Sequence, residues 1–324
     1  MTGLKVALVH YWLVGMRGGE RVLEALCELF PDADIFTLVL DPGAISPRIA
    51  RHRIHTSFLQ RLGGRRHYRK LLPLMPLAVE SLDLAAYDLV ISSESGPAKG
   101  VIPRPDALHI CYCHAPMRYI WDLQGQYGRE AGWLARQALR LSGPRLRQWD
   151  VTTAARVDHF VANSRFVAQR IEKYYRRDAV VIHPPVEVAR FAPSRAAGSF
   201  YLCAGQITPY KRVEVAVEAF SRSGRPLLVI GDGASRGLRA TAGASVRFLG
   251  AVDDATLAAA EGDHRAAAVE RFEAHKDAFD PVAIRAHAQR FDRPRFIAAM
   301  RSYVEHCLAR QRGDAAPPAR ALGA

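Results

Sequence analysis

The sequence contains no apolar run of eighteen residues, so it predicts no transmembrane helix. Its opening, Met1-Thr2-Gly3-Leu4-Lys5, leads into a short apolar stretch ending at His10, too short and too soon broken for a secretory signal. Cysteine is scarce, five in 324 residues, and odd in number, which argues against a disulfide framework and fits a reducing compartment. The expectation is a cytoplasmic protein. Cys111 and Cys113 share one apolar run with no second Cys/His pair at zinc spacing, so they read as buried residues on one strand face and no metal site is expected. Acid is missing from Gly43 to Val79, where Arg48, Arg51, Arg53, Arg61, Arg65, Arg66, Arg69 and Lys70 precede the apolar Leu71-Leu72-Pro73-Leu74-Met75-Pro76-Leu77. The whole chain sets 45 Lys and Arg against 32 Asp and Glu, a formal charge of +13 that favours polyanionic partners. No helix-turn-helix, zinc-finger or RNA-recognition signature accompanies the charge, so nucleic acid is not an expected partner. The basic run reads either as a docking surface for anionic lipid headgroups or a lipid-phosphate acceptor, on the inner face of the cell membrane, or as a solvated face beside a core segment.

Hydrophobic residues make up 49% and charged residues 24%, which excludes wholesale disorder. Short apolar runs rich in Val and Ile recur at 5–10, 35–38, 89–92, 109–113, 159–162 and 180–183, with the pattern of strands buried on both faces. Helical stripes lie between several of them, at Glu20 to Leu29 and Arg165 to Tyr175. This alternation predicts an α/β fold with a parallel sheet. A small-residue linker near 192–199 separates a second, smaller α/β region, with strands at 200–204, 227–230 and 246–249 and helices at 211–221 and near 235–242. The expected division is a first domain over 1–190, a second and incomplete one over 198–268, a helical segment over 269–312 and a disordered tail over 313–324.

Three motifs carry chemistry. Gly15-Met16-Arg17-Gly18-Gly19-Glu20-Arg21 follows the first strand and opens a helix, where glycines permit close approach and free N–H groups attract an anion. The alternative is a tight turn needing glycine's conformational freedom. His114 stands at the carboxyl end of a buried strand, the end that faces the ligand crevice in open α/β sheets, with Arg118 and Asp122 close behind. Gly205, followed by Lys211 and Arg212, places a glycine turn and two cations at a helix start, an arrangement that is stable when an anion joins it; Gly231-Asp232-Gly233 follows the next strand.

The order of these motifs resembles glycosyltransferase family 4, of the GT-B fold, and within it the mannosyltransferase-like bacterial members of polysaccharide biosynthesis. The resemblance rests on His10 with Gly18-Gly19-Glu20-Arg21, Tyr112 to Tyr119, Val161-Ala162-Asn163-Ser164, His183-Pro184-Pro185-Val186, Pro209-Tyr210-Lys211-Arg212, Gly231-Asp232-Gly233 and Phe248-Leu249-Gly250. It implies two Rossmann-like domains, the first on the acceptor side. It also implies metal-independent, cofactor-free, retaining transfer of a sugar from a nucleotide-sugar such as GDP-mannose to a lipid-linked or saccharide acceptor. By the same resemblance Gly18, Gly19, Lys211 and Arg212 would bind the donor diphosphate, His114 would contact the reacting sugar, and Arg118, Asp122, Gly205 and Gly231 would line the crevice. The sequence departs from the family twice. Gln206 stands where many members carry Arg, and the Glu-x7-Glu stretch is missing, with Glu261 and Glu270 nine residues apart. About sixty residues, roughly two βα units, are expected to be absent. The alternative reading is therefore an inactive remnant that binds a polyanion or a partner protein.

Overall fold

The computed structural model describes residues 3–121, 133–190, 200–208, 211–233, 236–250 and 280–313. It divides into two compact units, one of Met1–Val186 with Phe291–Ala324 and one of Glu187–Arg290.

The first unit is built on a seven-stranded sheet. Its strands are β1 (Val6–His10), β2 (Asp34–Thr37), β3 (Ile54–Thr56), β4 (Leu89–Glu94), β5 (Leu108–Cys113), β6 (His159–Ala162) and β7 (Ala179–Val181), in the order β3-β2-β1-β4-β5-β6-β7. Every pairing is parallel. We label helices of six or more residues; here they are α1 (Gly18–Leu29), α2 (Met75–Glu80), α3 (Trp133–Thr153) and α4 (Arg165–Tyr175). The central strands are mostly apolar because side chains alternate between two covered faces. Leu8, Ile35, Ile91, Ile110 and Tyr112 pack with Val22, Leu23 and Leu26 of α1. Ala7, Val9, Phe36 and Val90 pack with Met75, Ala78 and Val79 of α2. Cys111 and Cys113 lie on one face with Phe160 and with Val167 and Ile171 of α4, and all five cysteines are free thiols. α4 starts where Ser164 caps it, the hydroxyl accepting from the Val167 N–H at 3.3 Å.

The second unit holds a three-stranded parallel sheet, β8 (Tyr201–Ala204), β9 (Leu227–Ile230) and β10 (Val246–Gly250), in the order β10-β9-β8. Among the described residues its helices are α5 (Val213–Ser223), α6 (Arg236–Thr241) and α7 (Pro281–Ala288). Val213, Val217 and Phe220 of α5 close its core with Leu227, Val229 and Val246. The helix expected from Lys211 starts two residues later, because Arg212 adopts a left-handed φ of 54° that a right-handed helix cannot include. The Ala-rich stretch after Ala255, with Glu261 and Glu270, and the tail over 314–324 lie outside the described residues.

The closing segment was expected as one piece over 269–312. It parts instead at Phe291. α7 belongs to the second unit, whereas α8 (Arg293–Gln311) buries Phe296, Met300, Val304, Cys307 and Leu308 in the core shared with α1 and β1. The chain re-enters through a short bridge: the Val186 N–H donates to the Phe291 carbonyl at 2.8 Å, and the Arg293 N–H to the Val186 carbonyl at 3.2 Å.

Candidate functional site

In the large sheet the chain leaves β1 outward through β2 and β3, then returns to lay β4 on the other side of β1. Crossovers depart in opposite directions on either side of this point, which opens a crevice at the carboxyl ends of β1 and β4. His10 ends β1, Ser93 and Glu94 end β4, and His114 follows β5, so three strands deliver polar side chains to one place. α1 supplies the glycines. A Cβ on Gly19 would meet the Tyr11 hydroxyl at 3.1 Å, His10 Cε1 at 3.4 Å and His114 Nε2 at 3.6 Å, so the absence of a side chain lets α1 settle against this cluster. Gly18, one residue earlier, is exposed at the helix end, where N–H groups lack helical partners. The structure thus sets Gly19 against His114, with Gly18 exposed one residue away, and adds His10, Tyr11, Glu20 and Ser93.

The cluster is largely buried: His10, Glu20 and Ser93 are nearly inaccessible, and Tyr11, Gly19 and His114 are half-buried. Burial depresses the His114 imidazole to about 3, His10 acting in the same direction and Glu20 opposing. The ring is neutral near pH 7, and Ser93 Oγ lies 2.9 Å from its Nε2. Burial raises the Tyr11 phenol, and the Glu20 carboxylate adds to that. Burial would also raise Glu20, but the His10 side chain and the backbone N–H groups at the helix start outweigh it and hold the carboxyl below its ordinary range. Glu20 accepts the Arg17 N–H at 3.0 Å and sits 3.7 Å from His10 Nε2. The first-turn acid that supports α1 is therefore also the fixed negative charge of the crevice floor.

The backbone of His114 is pinned on both sides. Its N–H donates to the Glu94 carbonyl at 2.7 Å, and its carbonyl accepts from Asn163 Nδ2 at 2.9 Å. Beneath it lies a buried ionic network that sequence reasoning missed. Lys99 is fully buried, pairs with Asp150, approaches Glu94 Oε1 at 3.7 Å and donates its backbone N–H to Glu94 Oε2 at 3.0 Å. Asp150 also accepts from Trp121 Nε1 at 2.8 Å and the Tyr175 hydroxyl at 2.9 Å. Burial, reinforced by Asp150, pushes Glu94 up to about 8 against the pull of Lys99. The signal was available: an acid closing an apolar strand at Glu94, then a lysine five residues on.

Arg118 is exposed four residues beyond His114, and Asp122 lies outside the described residues. In the second unit, Gly205, Gly231 and Lys211 come together at the carboxyl end of the small sheet. The Gly205 N–H donates to Ile230 at 2.9 Å, and the Gly231 N–H to Gly250 at 2.7 Å. Gly231 has φ 143°, and a Cβ there would stand 1.9 Å from the Gly205 carbonyl oxygen, so only glycine fits. Lys211 Nζ reaches 3.0 Å from where a Gly205 Cβ would be, which aims a cation across a turn of bare backbone. Arg212 instead turns to Glu214, its Nε 2.5 Å from the carboxylate.

Sequence comparison and fold comparison supply independent findings. The profile of Glycosyltransferase Family 4 matches residues 16–190. No curated protein matches the sequence. Among solved structures, Anabaena Alr3699/HepE in complex with UDP and glucose superposes with a TM-score of 0.60 at 11% identity, covering 93% of this chain and 99% of that one. The lipopolysaccharide outer core galactosyltransferase WaaB, in its apo form, gives a TM-score of 0.50 at 13% identity, with coverage of 93% and 99%. At these identities the likeness is one of fold.

Proposed function

The chain belongs to glycosyltransferase family 4, and from that premise we propose that it moves a hexose from a nucleotide-sugar to a hydroxyl of a lipid-linked or saccharide acceptor, with retention at the anomeric carbon and without a metal. The observation that carries this reading is the convergence of Gly19, Tyr11 and His114 at the switch point of the large sheet. In the transfer, the bond from the sugar C1 to the diphosphate breaks and the diphosphate leaves with the electron pair. The acceptor oxygen bonds C1 on the same face, and its proton passes to the departing phosphate oxygen. His114 contacts the reacting sugar as a neutral group. Lys211, set over the Gly205 and Gly231 turn, takes the charge of the diphosphate. Mannose carried on GDP is the first donor to try, with UDP-sugars next. The basic run from Arg48 to Lys70 faces an anionic lipid surface or a lipid-phosphate acceptor.

The missing Glu-x7-Glu stretch sets the expected strength. Each sugar or ribose hydroxyl buried without its partner costs about 1–3 kcal/mol, so donor affinity falls by orders of magnitude. The same feature favours the second reading, an inactive remnant that binds a polyanion or partner protein. Titration calorimetry and turnover with GDP-mannose, UDP-glucose and UDP-N-acetylglucosamine separate the two. The transferase reading expects slow transfer with donor affinity weaker than micromolar, abolished by His114→Ala with the circular dichroism unchanged. Transfer unaffected by His114→Ala would refute the site, and no transfer from any donor would leave the remnant.

A further inference from the structure

Two serine–histidine pairs stand side by side where β4 meets β5. Ser92 Oγ is 2.9 Å from His109 Nε2, and Ser93 Oγ is 2.9 Å from His114 Nε2. Successive residues of a strand point to opposite faces, so the pairs lie on opposite sides of the sheet. In the first pair the direction of the hydrogen bond is fixed. His109 Nδ1 lies 3.2 Å from the Arg156 carbonyl, which can only accept. Nδ1 must carry the proton, Nε2 is bare, and the Ser92 hydroxyl donates to it. Burial depresses His109 to about 4, so the ring is neutral and no second proton offers another arrangement.

Ser93 is 1% exposed, and among the described residues its hydroxyl has one partner, His114 Nε2. Were Nε2 protonated instead, it would donate to Ser93 Oγ and leave the buried hydroxyl hydrogen without an acceptor, an expensive arrangement. Donation from Ser93 leaves only a spare lone pair. We infer that Ser93 is a positioning residue that holds His114 in the neutral tautomer with its proton on Nδ1. At His109 that proton is used by the Arg156 carbonyl; at His114 Nδ1 has no such partner among the described residues, and the half-buried ring presents an N–H donor. The acceptor it would meet is an oxygen of the ligand: a hydroxyl of the donor sugar or an oxygen of its phosphate. This rests on the proposed function for the identity of the ligand, but not for the tautomer. It assigns His114 the role of a hydrogen-bond donor, and excludes it as a base, since the only bare nitrogen is taken by Ser93.

The test is a long-range proton–nitrogen correlation spectrum of the full chain with labelled histidine, His114 being the signal lost in His114→Gln. The expected spectrum shows His114 protonated on Nδ1 between about pH 5 and 8. In Ser93→Ala the ring should become a mixture of tautomers, and Ser93→Thr should restore it, while His109 keeps its pattern and reports that the strands still pair. Where transfer is measurable, Ser93→Ala should lower kcat about tenfold with a smaller change in donor KM, and Ser93→Thr should recover it. A wild-type His114 protonated on Nε2, or a tautomer indifferent to Ser93→Ala, overturns the inference. The stated tautomer in a protein that transfers no sugar supports the inference and counts against the functional reading alone.

Discussion

A histidine that is buried and neutral links the crevice to acid stability. His109 and His114 are held at about 4 and about 3, and burial lowers His159 as well. The unfolded chain takes up these protons near 6.5 and the folded chain does not. Stability is therefore full above about pH 6.5 and falls as the pH drops toward the folded values. Glu94 acts in the opposite sense: raised to about 8 by burial, it stays protonated when folded, and its contribution falls as pH rises from 4.5 through 8. From 6.5 down to 4.5, Glu94 offsets one histidine and leaves at least one unopposed. A single group contributes at most ~1.4 kcal/mol per pH unit. Thermal melts should accordingly show a lower Tm at pH 5 than at pH 6.5. A Tm that is flat or higher at pH 5 would mean that these rings accept protons in the folded state.

Among elements, α8 makes the sharpest claim. Its buried residues Phe296, Met300, Val304, Cys307 and Leu308 form one stripe at helical spacing, and that stripe lies in the core of a unit whose previous residue is Val186. Met300→Ala should lower the stability of the first unit by about 2–5 kcal/mol in urea titration, the range for a large apolar side chain lost from a packed core. An independent appendage would lose helix content alone. The stripe was visible in the sequence, but its destination was not, because periodicity identifies a buried face and says nothing about what covers it. Legibility follows the same line elsewhere. β1, β4, β5 and β6 were readable because both faces are covered and each carries a run of apolar residues. β3 (Ile54–Thr56) was missed because it is three residues long, partly exposed and embedded in the basic run. His114 and Gly19 could be found because glycine and a strand-end histidine are local signals. Ser93 and Lys99 act through His114 and Asp150, about 20 and 50 positions away, which no local pattern encodes, whereas Glu94 and Lys99 meet across five residues.

For the molecule as a whole, the feature that bears on where it sits is its charge. Of the excess that makes +13, the acid-free run contributes eight cations, yet they are not equivalent. Arg48 is bound to Glu28 at 2.7 Å and Arg65 to Asp41 at 3.0 Å, so both are partly neutralised. Arg51, Arg53, Arg61 and Lys70 are exposed, and the same stretch exposes Leu62 at 57%, Leu74 at 41% and Leu77 at 62%. No helix among the described residues is long and apolar enough to cross a bilayer. A free cation near an anionic leaflet contributes about 1 kcal/mol, and an exposed leucine entering the headgroup region adds a salt-independent part. Together these predict reversible binding in two separable components. Sedimentation with anionic vesicles should show binding that weakens steeply as salt rises, because the charges are screened within about a Debye length. Replacing Arg51, Arg53, Arg61 and Lys70 by Gln should remove that salt-sensitive component. Leu62→Ser with Leu77→Ser should weaken what persists at high salt. Equal binding to neutral vesicles, or indifference to salt, would show that the charge does not hold the protein to a membrane, and would leave the run as a solvated face of the first unit.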